Sequence, residues 1–234
     1  MDPNRRTAVT AGIVFIAATA ASLLGTAIEQ PVLTGMDYLS RISADPTRIS
    51  TGGLLELIAA GTSAGIAIVL YPVLKSWGRG LALGAVVFRA IEAVMYVLGA
   101  VNMLALHDVA QQFTQAAGAD RAWLQALGDS LISVREVAIL AGVFAFALGA
   151  FMYYCLFYRS RLVPRWLSGW GIVAVLLMLV ACLLALFSGN PVSSYVVLIL
   201  PIAVQEMVLA VWLIARGFSS ATLRARTVAS ESAA

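Results

Sequence analysis

The chain has 234 residues, of which 61% are hydrophobic and 12% are charged, and its mean hydropathy is +0.92. Soluble domains contain about 45–50% apolar and about 25% charged residues, so this composition excludes a water-soluble domain. The net charge of +3 is too small to form the basic surface of a nucleic-acid-binding protein. The composition therefore predicts the lipid bilayer as a partner, and no nucleic acid.

Six largely apolar stretches are long enough to cross a hydrocarbon core of about 30 Å. Each is expected to be a helix, because a backbone in lipid must satisfy its own hydrogen bonds. The sequence thus predicts an all-α membrane bundle, a single domain over 1–218, followed by a disordered cytoplasmic tail, 219–234, rich in Ser, Ala and Thr. The predicted spans are 8–28, 52–74, 80–105, 130–157, 166–187 and 195–216.

The basic residues predict the orientation of these spans. Ten of the fifteen fall on the side that holds both termini, whereas the opposite loops hold only Arg41, Arg48 and Arg121. Because cytoplasmic loops are enriched in Lys and Arg, both termini are expected in the cytoplasm of a multi-pass protein of the inner (plasma) membrane. The ten are Arg5, Arg6, Lys75, Arg79, Arg159, Arg161, Arg165, Arg216, Arg224 and Arg226.

The two outer segments between spans, 29–45 and 106–129, contain apolar residues at helical spacing. In the first these are Met36, Leu39 and Ile42. We interpret both segments as short interfacial helices packed on the membrane surface, with a lid over the bundle as the alternative.

Most catalytic and metal-binding chemistry is missing from the sequence. Cys155 and Cys182 lie inside predicted spans, far apart in sequence, and His107 is the single histidine. These residues form no metal-ligand spacing, and no phosphate-binding loop or nucleophile motif is present. We therefore expect no metal and no cofactor, and an enzyme is not the favoured interpretation.

Six ionisable residues lie within the predicted spans, whereas Glu29 is assigned to an outer loop. A charge near the bilayer centre costs several kcal/mol unless it pairs or faces water, so these side chains are expected to face the bundle interior. Their depths predict a polar funnel that is open to the outer side and closed toward the cytoplasm. The six candidate ligand-binding residues are Glu56, Arg89, Glu92, Arg135, Glu136 and Glu206.

Depth also predicts how these residues pair. Glu56 is expected to pair with Arg135, and Arg89 and Glu92 with Glu206, whereas Glu136 points away from its neighbour Arg135 by about 100°. Four carboxylates against two guanidiniums leave an excess of negative charge, which favours protonation of a glutamate or binding of a cation.

Several motifs of the chain are distinctive: GLLELI (53–58), LYPVLK (70–75), FRAIE (88–92), VRE (134–136), SRLVPRWLSGWG (160–171) and PIAVQEM (201–207). Through these motifs the chain resembles the bacterial six-helix membrane family called domain of unknown function 4386, and the resemblance covers nearly the whole chain. It implies the same six-span bundle and the same buried Glu and Arg positions, but no reaction.

The unbalanced carboxylates favour a membrane protein that binds or conducts a small solute, a proton or a cation from the outer side. No internal repeat of the kind found in many transporters is visible, so binding is favoured over transport. Two alternatives stay open. One is an intramembrane enzyme acting on a lipid or isoprenoid, with a glutamate as general acid. The other is a structural or accessory protein whose charges hold helices together.

Overall fold

The computed structural model describes residues 2–35 and 37–223, and it is all-α over this part of the chain. Six of the described helices are long and apolar enough to cross a membrane, which confirms the predicted number of spans. One further described helix, Tyr38–Ala44, is short, and a 3₁₀ helix, Val192–Tyr195, precedes the last long helix. The α-helices are α1 (Pro3–Leu33), α2 (Tyr38–Ala44), α3 (Pro46–Leu74), α4 (Arg79–Gln115), α5 (Gly118–Ser160), α6 (Arg165–Ser188) and α7 (Val196–Ala215).

Local sequence signals define where several helices begin and end. Pro3 and Pro46 open α1 and α3 at positions where the missing proline N–H would have no helical partner. Asp2 additionally caps α1 by accepting a hydrogen bond from the Asn4 N–H. Gly189 ends α6 with a φ of 71°, in the left-handed region that glycine adopts without strain.

The six long helices form a closed ring in chain order. Extensive contacts run from α1 to α3, α3 to α4, α4 to α5, α5 to α6 and α6 to α7, and α7 returns to α1. We call the end of the bundle that carries the first residues of α1 and the last residues of α7 the terminal end, and the opposite end, near α2, the cap end. The ring encloses a space whose contents are described below.

The helices α4 and α5 are the longest, with 37 and 43 residues. At about 1.5 Å per residue α5 is roughly 65 Å long, so both helices extend well beyond a hydrocarbon core. The prediction of short interfacial helices in 106–129 is therefore wrong, because α4 and α5 continue without a break to a turn at Ala116 and Ala117.

The short helix α2 packs against this extension of α4 and α5. Leu39 and Ile42 are fully buried there, in an apolar cluster that includes Met103. The Tyr38 hydroxyl donates a 2.7 Å hydrogen bond to Asp129. Burial raises the pKa of Tyr38, and the Asp129 carboxylate raises it further. The predicted helix in the first outer segment is present, although Met36 lies outside the described residues.

At the terminal end, α1 and α7 are held together by hydrogen bonds and close backbone packing. Arg5 donates to the carbonyl oxygens of Leu213 and Ile214, at 2.9 and 2.5 Å. Gly12 lies so close to Ala210 that an added Cβ would be 2.7 Å from its carbonyl oxygen. The first residues of the predicted tail, 219–234, are ordered: 220–223 are helical, and the Ser219 N–H donates a 2.9 Å hydrogen bond to the Leu162 carbonyl oxygen. From 224 onward the tail lies outside the described residues, so its disorder there stays a prediction.

Candidate functional site

Three helices contribute to an ion cluster near the cap end. The guanidinium of Arg135 on α5 places its Nη2 atom 2.6 Å from Glu29 Oε2 on α1 and 2.5 Å from Glu56 Oε1 on α3. Glu29 is 1% exposed, and Arg135 and Glu56 are largely buried. We call these three residues the cap-end ion cluster. The predicted pairing of Glu56 with Arg135 is present.

Two glycines make room for the carboxylates of this cluster. Gly52 on α3 lies directly against Glu29, so that an added Cβ would overlap its carboxylate. Gly99 on α4 faces Glu56 at a distance where an added Cβ would make ordinary contact, 3.4 Å from Oε2. The close approach of α1 to α3 at Gly52 thus depends on the absence of a side chain.

A second group, the central ion cluster, consists of Arg89, Glu92 and Glu206. Arg89 and Glu92 are three residues apart on α4, and their Nη1 and Oε2 atoms are 3.2 Å apart. Both side chains are 2% exposed. Glu206 on α7 accepts a 3.0 Å hydrogen bond from the Tyr153 hydroxyl on α5. It was predicted to associate with Arg89 and Glu92, and it lies near them without forming a direct ion pair to Arg89.

Arg89 has further partners that fix its orientation. Its Nε donates a 3.2 Å hydrogen bond to the carbonyl oxygen of Ser63 on α3. Its guanidinium also lies over the ring of Phe146, with Cζ 4.6 Å from the ring centroid, a distance at which a cation is attracted to the aromatic face. The guanidinium is therefore held by three helices, α3, α4 and α5.

Below the central cluster, aromatic and polar side chains fill the terminal half of the ring. The Tyr154 hydroxyl donates to Gln205 Oε1, and Gln205 Nε2 donates a 3.0 Å hydrogen bond to the Leu167 carbonyl oxygen on α6. Tyr153, Tyr154 and Phe157 are fully buried. Because these groups are packed and hydrogen-bonded, they form a closed floor toward the terminal end.

A cavity of about 280 Å³ lies between the two ion clusters and the cap end. It is lined by all six residues that the sequence identified, and also by Glu29. Apolar side chains, among them Phe146, Met178 and Ile202, form much of the remaining wall. The six predicted residues, which are scattered over four helices, thus surround one space.

The cavity is open between the cap halves of α1 and α7. Several of its lining residues on α1 are exposed at the molecular surface, including Leu23, which is 62% exposed. Ala203 lines the wall on α7. We call this gap the α1–α7 opening and define it by its lining residues Ser22, Leu23, Thr26 and Ala203.

Glu136 differs from the other predicted residues. It lines the cavity but is only half-buried, and no ion pair joins it to the described residues. Its neighbour Arg135 points to Glu29 and Glu56, which agrees with the expected divergence of adjacent helical positions.

The assignment of Glu29 to an outer loop is wrong. Helix α1 continues through Pro31 to Leu33, and Glu29 lies on the same buried face as Gly25 and Val32. That spacing of four and three residues is the signal that could have placed Glu29 inside the bundle. Tyr153 was also missed as a partner of Glu206, because a buried hydroxyl has no distinctive sequence pattern.

The charges around the cavity are unbalanced. Among the described residues, five carboxylates and two guanidiniums line it, so the surplus of acidic groups is larger than the sequence alone predicted. Within the same part of the chain, no group of three or more His, Cys, Asp or Glu side chains converges closely enough to hold a metal ion. The carboxylates are instead distributed around the wall.

These features define a multi-pass integral membrane protein with a ring of six helices around a charged cavity. The chain belongs to the family described as "Domain of unknown function (DUF4386)", whose model matches residues 10–217. This match confirms the resemblance drawn from the motifs. No curated protein and no solved structure matches the chain.

Proposed function

We propose that this protein binds, or conducts, a small solute, a proton or a cation in the cavity. The observation that carries the proposal is the surplus of carboxylates around one cavity: Glu29, Glu56, Glu92, Glu136 and Glu206 face only Arg89 and Arg135. Uncompensated carboxylates in low dielectric are costly, and a bound cation or proton lowers that cost. Small residues or hydroxyl groups would hold helices together with a smaller desolvation cost.

In this proposal the cavity is reached through the half of the bundle nearer the cap end, which we assign to the extracytoplasmic side of the plasma membrane. The distribution of basic residues supports this orientation, because the terminal end carries the arginines of the loop that joins α5 to α6 and of the α7 terminus. The hydrogen-bonded floor formed by Tyr154, Gln205 and Leu167 supports closure toward the cytoplasm. Binding is preferred over conduction because these packed and hydrogen-bonded side chains close the cavity toward the terminal end.

A thermal-unfolding screen of the detergent-purified protein tests the proposal. The midpoint is measured across pH and with sodium, calcium and tetramethylammonium chlorides, for the wild type and for Glu92→Gln and Glu206→Gln. A ligand present at a hundred times its Kd adds about 2.7 kcal/mol to the free energy of unfolding. We expect a stabilising shift in the wild type that is lost in both variants.

Two controls make the screen decisive. Glutamine at position 206 still accepts the Tyr153 hydrogen bond, so Glu206→Gln removes the charge while leaving the contact. Asp108→Asn neutralises an exposed carboxylate on α4 outside the cavity and should respond like the wild type. If no cation and no change of pH shifts the wild type differently from the two cavity variants, the proposal is wrong and the clusters are structural.

A further inference from the structure

The α1–α7 opening lies in the outer part of the hydrocarbon core and reaches its boundary. Ser22 is 17 residues beyond Arg5, and Ala203 is 13 residues before Arg216, which corresponds to about 25 Å and about 20 Å along the two helices. Arginines of this kind mark the membrane interface, and the core is about 30 Å thick. A molecule passing between Ser22 and Ala203 therefore comes from the outer acyl-chain region, whereas Thr26, about 32 Å along α1 from Arg5, lies at the boundary with water.

The walls of the opening suit a molecule with both apolar and polar parts. Leu23 and Ala203 provide apolar surface, whereas Ser22, Thr26 and Gln30 form a polar stripe along the cavity side of α1. These three positions recur at intervals of four residues, which keeps them on one helix face. A polar group can thus move along α1 while its apolar part stays against lipid.

The volume of the cavity limits what can be enclosed. About 280 Å³ is just below the range of about 300–1,000 Å³ for ligand pockets. It holds a headgroup but not a long hydrocarbon chain. The opening gives such a chain a place outside, alongside exposed apolar residues such as Leu24 and Leu200, which are 56% and 57% exposed.

The charges around the cavity select the sign of that headgroup. Arg135 is engaged by Glu29 and Glu56, and Arg89 is engaged by Glu92, the Ser63 carbonyl and the Phe146 ring. Each guanidinium is thus already paired with at least one carboxylate. An anionic headgroup would face the surplus of carboxylates, whereas an ammonium group would be attracted by them.

We infer that the cavity takes an amphiphilic organic cation, an amine or quaternary ammonium with an apolar chain, that reaches it from the bilayer through the α1–α7 opening. The inference rests on the proposed function and specifies its ligand class. The cationic group lies near Glu206, and the chain extends between α1 and α7 into the lipid.

A series of alkyltrimethylammonium ions tests the inference on the full chain in dodecyl maltoside micelles. Affinities of tetramethylammonium, hexyltrimethylammonium and decyltrimethylammonium are measured at fixed micelle concentration, with decyl sulfate as the matched anion. We expect affinity to rise at least tenfold from the first to the third cation, no binding of decyl sulfate, and loss of the cation series in Glu206→Gln. Equal affinity of tetramethylammonium and decyltrimethylammonium would overturn the inference.

Blocking the opening provides the second arm. Ser22→Trp should lower the affinity for decyltrimethylammonium at least tenfold, and Ala203→Trp gives the same test from α7 if the first variant does not fold. Ile13→Trp is the control, since Ile13 is a 56% exposed residue on α1 that does not line the cavity. If a folded variant with a blocked opening keeps wild-type affinity, entry from the bilayer is contradicted but cation binding is not. Failure of every cation and of protons to bind contradicts the proposed function itself.

Discussion

Arg135 holds two carboxylates from different helices with a single nitrogen atom. Glu29 Oε1 and Glu56 Oε2 make no hydrogen bond to the described residues, and the same is true of Arg135 Nε. The guanidinium therefore compensates two negative charges with few supporting contacts. Its removal would leave Glu29 and Glu56 facing each other in a region with little water.

We predict that Arg135→Gln lowers the free energy of unfolding by about 3–5 kcal/mol, because two buried carboxylates lose their counter-charge. Denaturation of the purified protein, followed by tryptophan fluorescence, measures the change. Adding Glu29→Gln and Glu56→Gln to the same chain should restore most of the loss, because no uncompensated charge then remains. An unchanged midpoint in the single variant would show that the cap-end ion cluster contributes nothing to stability.

Glu29 is the member of the cap-end ion cluster that the sequence did not reveal, whereas the pairing of Glu56 with Arg135 was predicted. Arg135 and Glu56 lie in apolar stretches, where any charge is conspicuous. Glu29 is followed by Gln30 and Pro31, a combination typical of a helix end, so the apolar pattern indicates that the span stops at 28. The helix continues because α3 covers Glu29 on one side, and this tertiary contact outweighs the helix-end signal of Gln30 and Pro31.

At the level of helices, the contact between α1 and α3 is shaped by small residues on both. Gly25 on α1 lies near Leu55, where an added Cβ would be 3.3 Å from its Cβ, and Gly52 on α3 lies against Glu29. Such close approach gives van der Waals packing, which is the main force between helices in lipid. It also brings the Glu29 carboxylate within reach of Arg135.

Gly52→Ala should therefore destabilise the protein by about 1–3 kcal/mol, since its Cβ forces Glu29 away from Arg135 or pushes α1 from α3. Thermal unfolding in detergent measures the loss. Gly99→Ala is the matched control, because its Cβ makes ordinary contact with Glu56, and alanine is favoured over glycine in a helix by about 1 kcal/mol. Equal effects of the two substitutions would contradict this account of the contact.

The lengths of α4 and α5 at the cap end are a second feature that could not be predicted from the sequence. The apolar pattern of α4 and α5 weakens near the predicted membrane boundary, and 106–129 therefore resembles two separate surface helices. In the structure Leu106 and Val109 are buried against α2, and Leu124 on α5 joins the same cluster. Packing of α4 and α5 on each other and on α2 keeps both helices continuous where lipid no longer supports them.

At the scale of the whole molecule, the six spans are an even number, so the start of α1 and the end of α7 lie on the same side of the membrane. This fold was predictable because the apolar stretches are long and well separated by charged or glycine- and proline-containing loops. The ring order of the helices and the cavity at its centre were not, because every helix has small and apolar residues on several faces. Only the buried charges indicated which faces point inward.

We predict that the cap end faces the outside of the cell. Single cysteines at Asn190, in the cap-end loop before α7, and at Ser220, at the terminal end, are introduced after Cys155 and Cys182 are changed to alanine; both target residues are exposed. An impermeant maleimide added to intact cells should label Asn190→Cys and leave Ser220→Cys unlabelled until the membrane is permeabilised. The reverse pattern would place the cavity opening on the cytoplasmic side.

The closed ring also has a consequence for biosynthesis. Helices α3 to α7 each pack on the long helix made just before them, so these contacts can form while the ribosome is still adding residues. The contact between α1 and α7 joins the first and last helices of the ring. Until Leu213 and Ile214 are made, Arg5 lacks the carbonyl oxygens that it binds, and the face of Gly12 lacks Ala210. Before α7 is complete, the helices therefore form an open row. The ring closes only when α7 packs against α1.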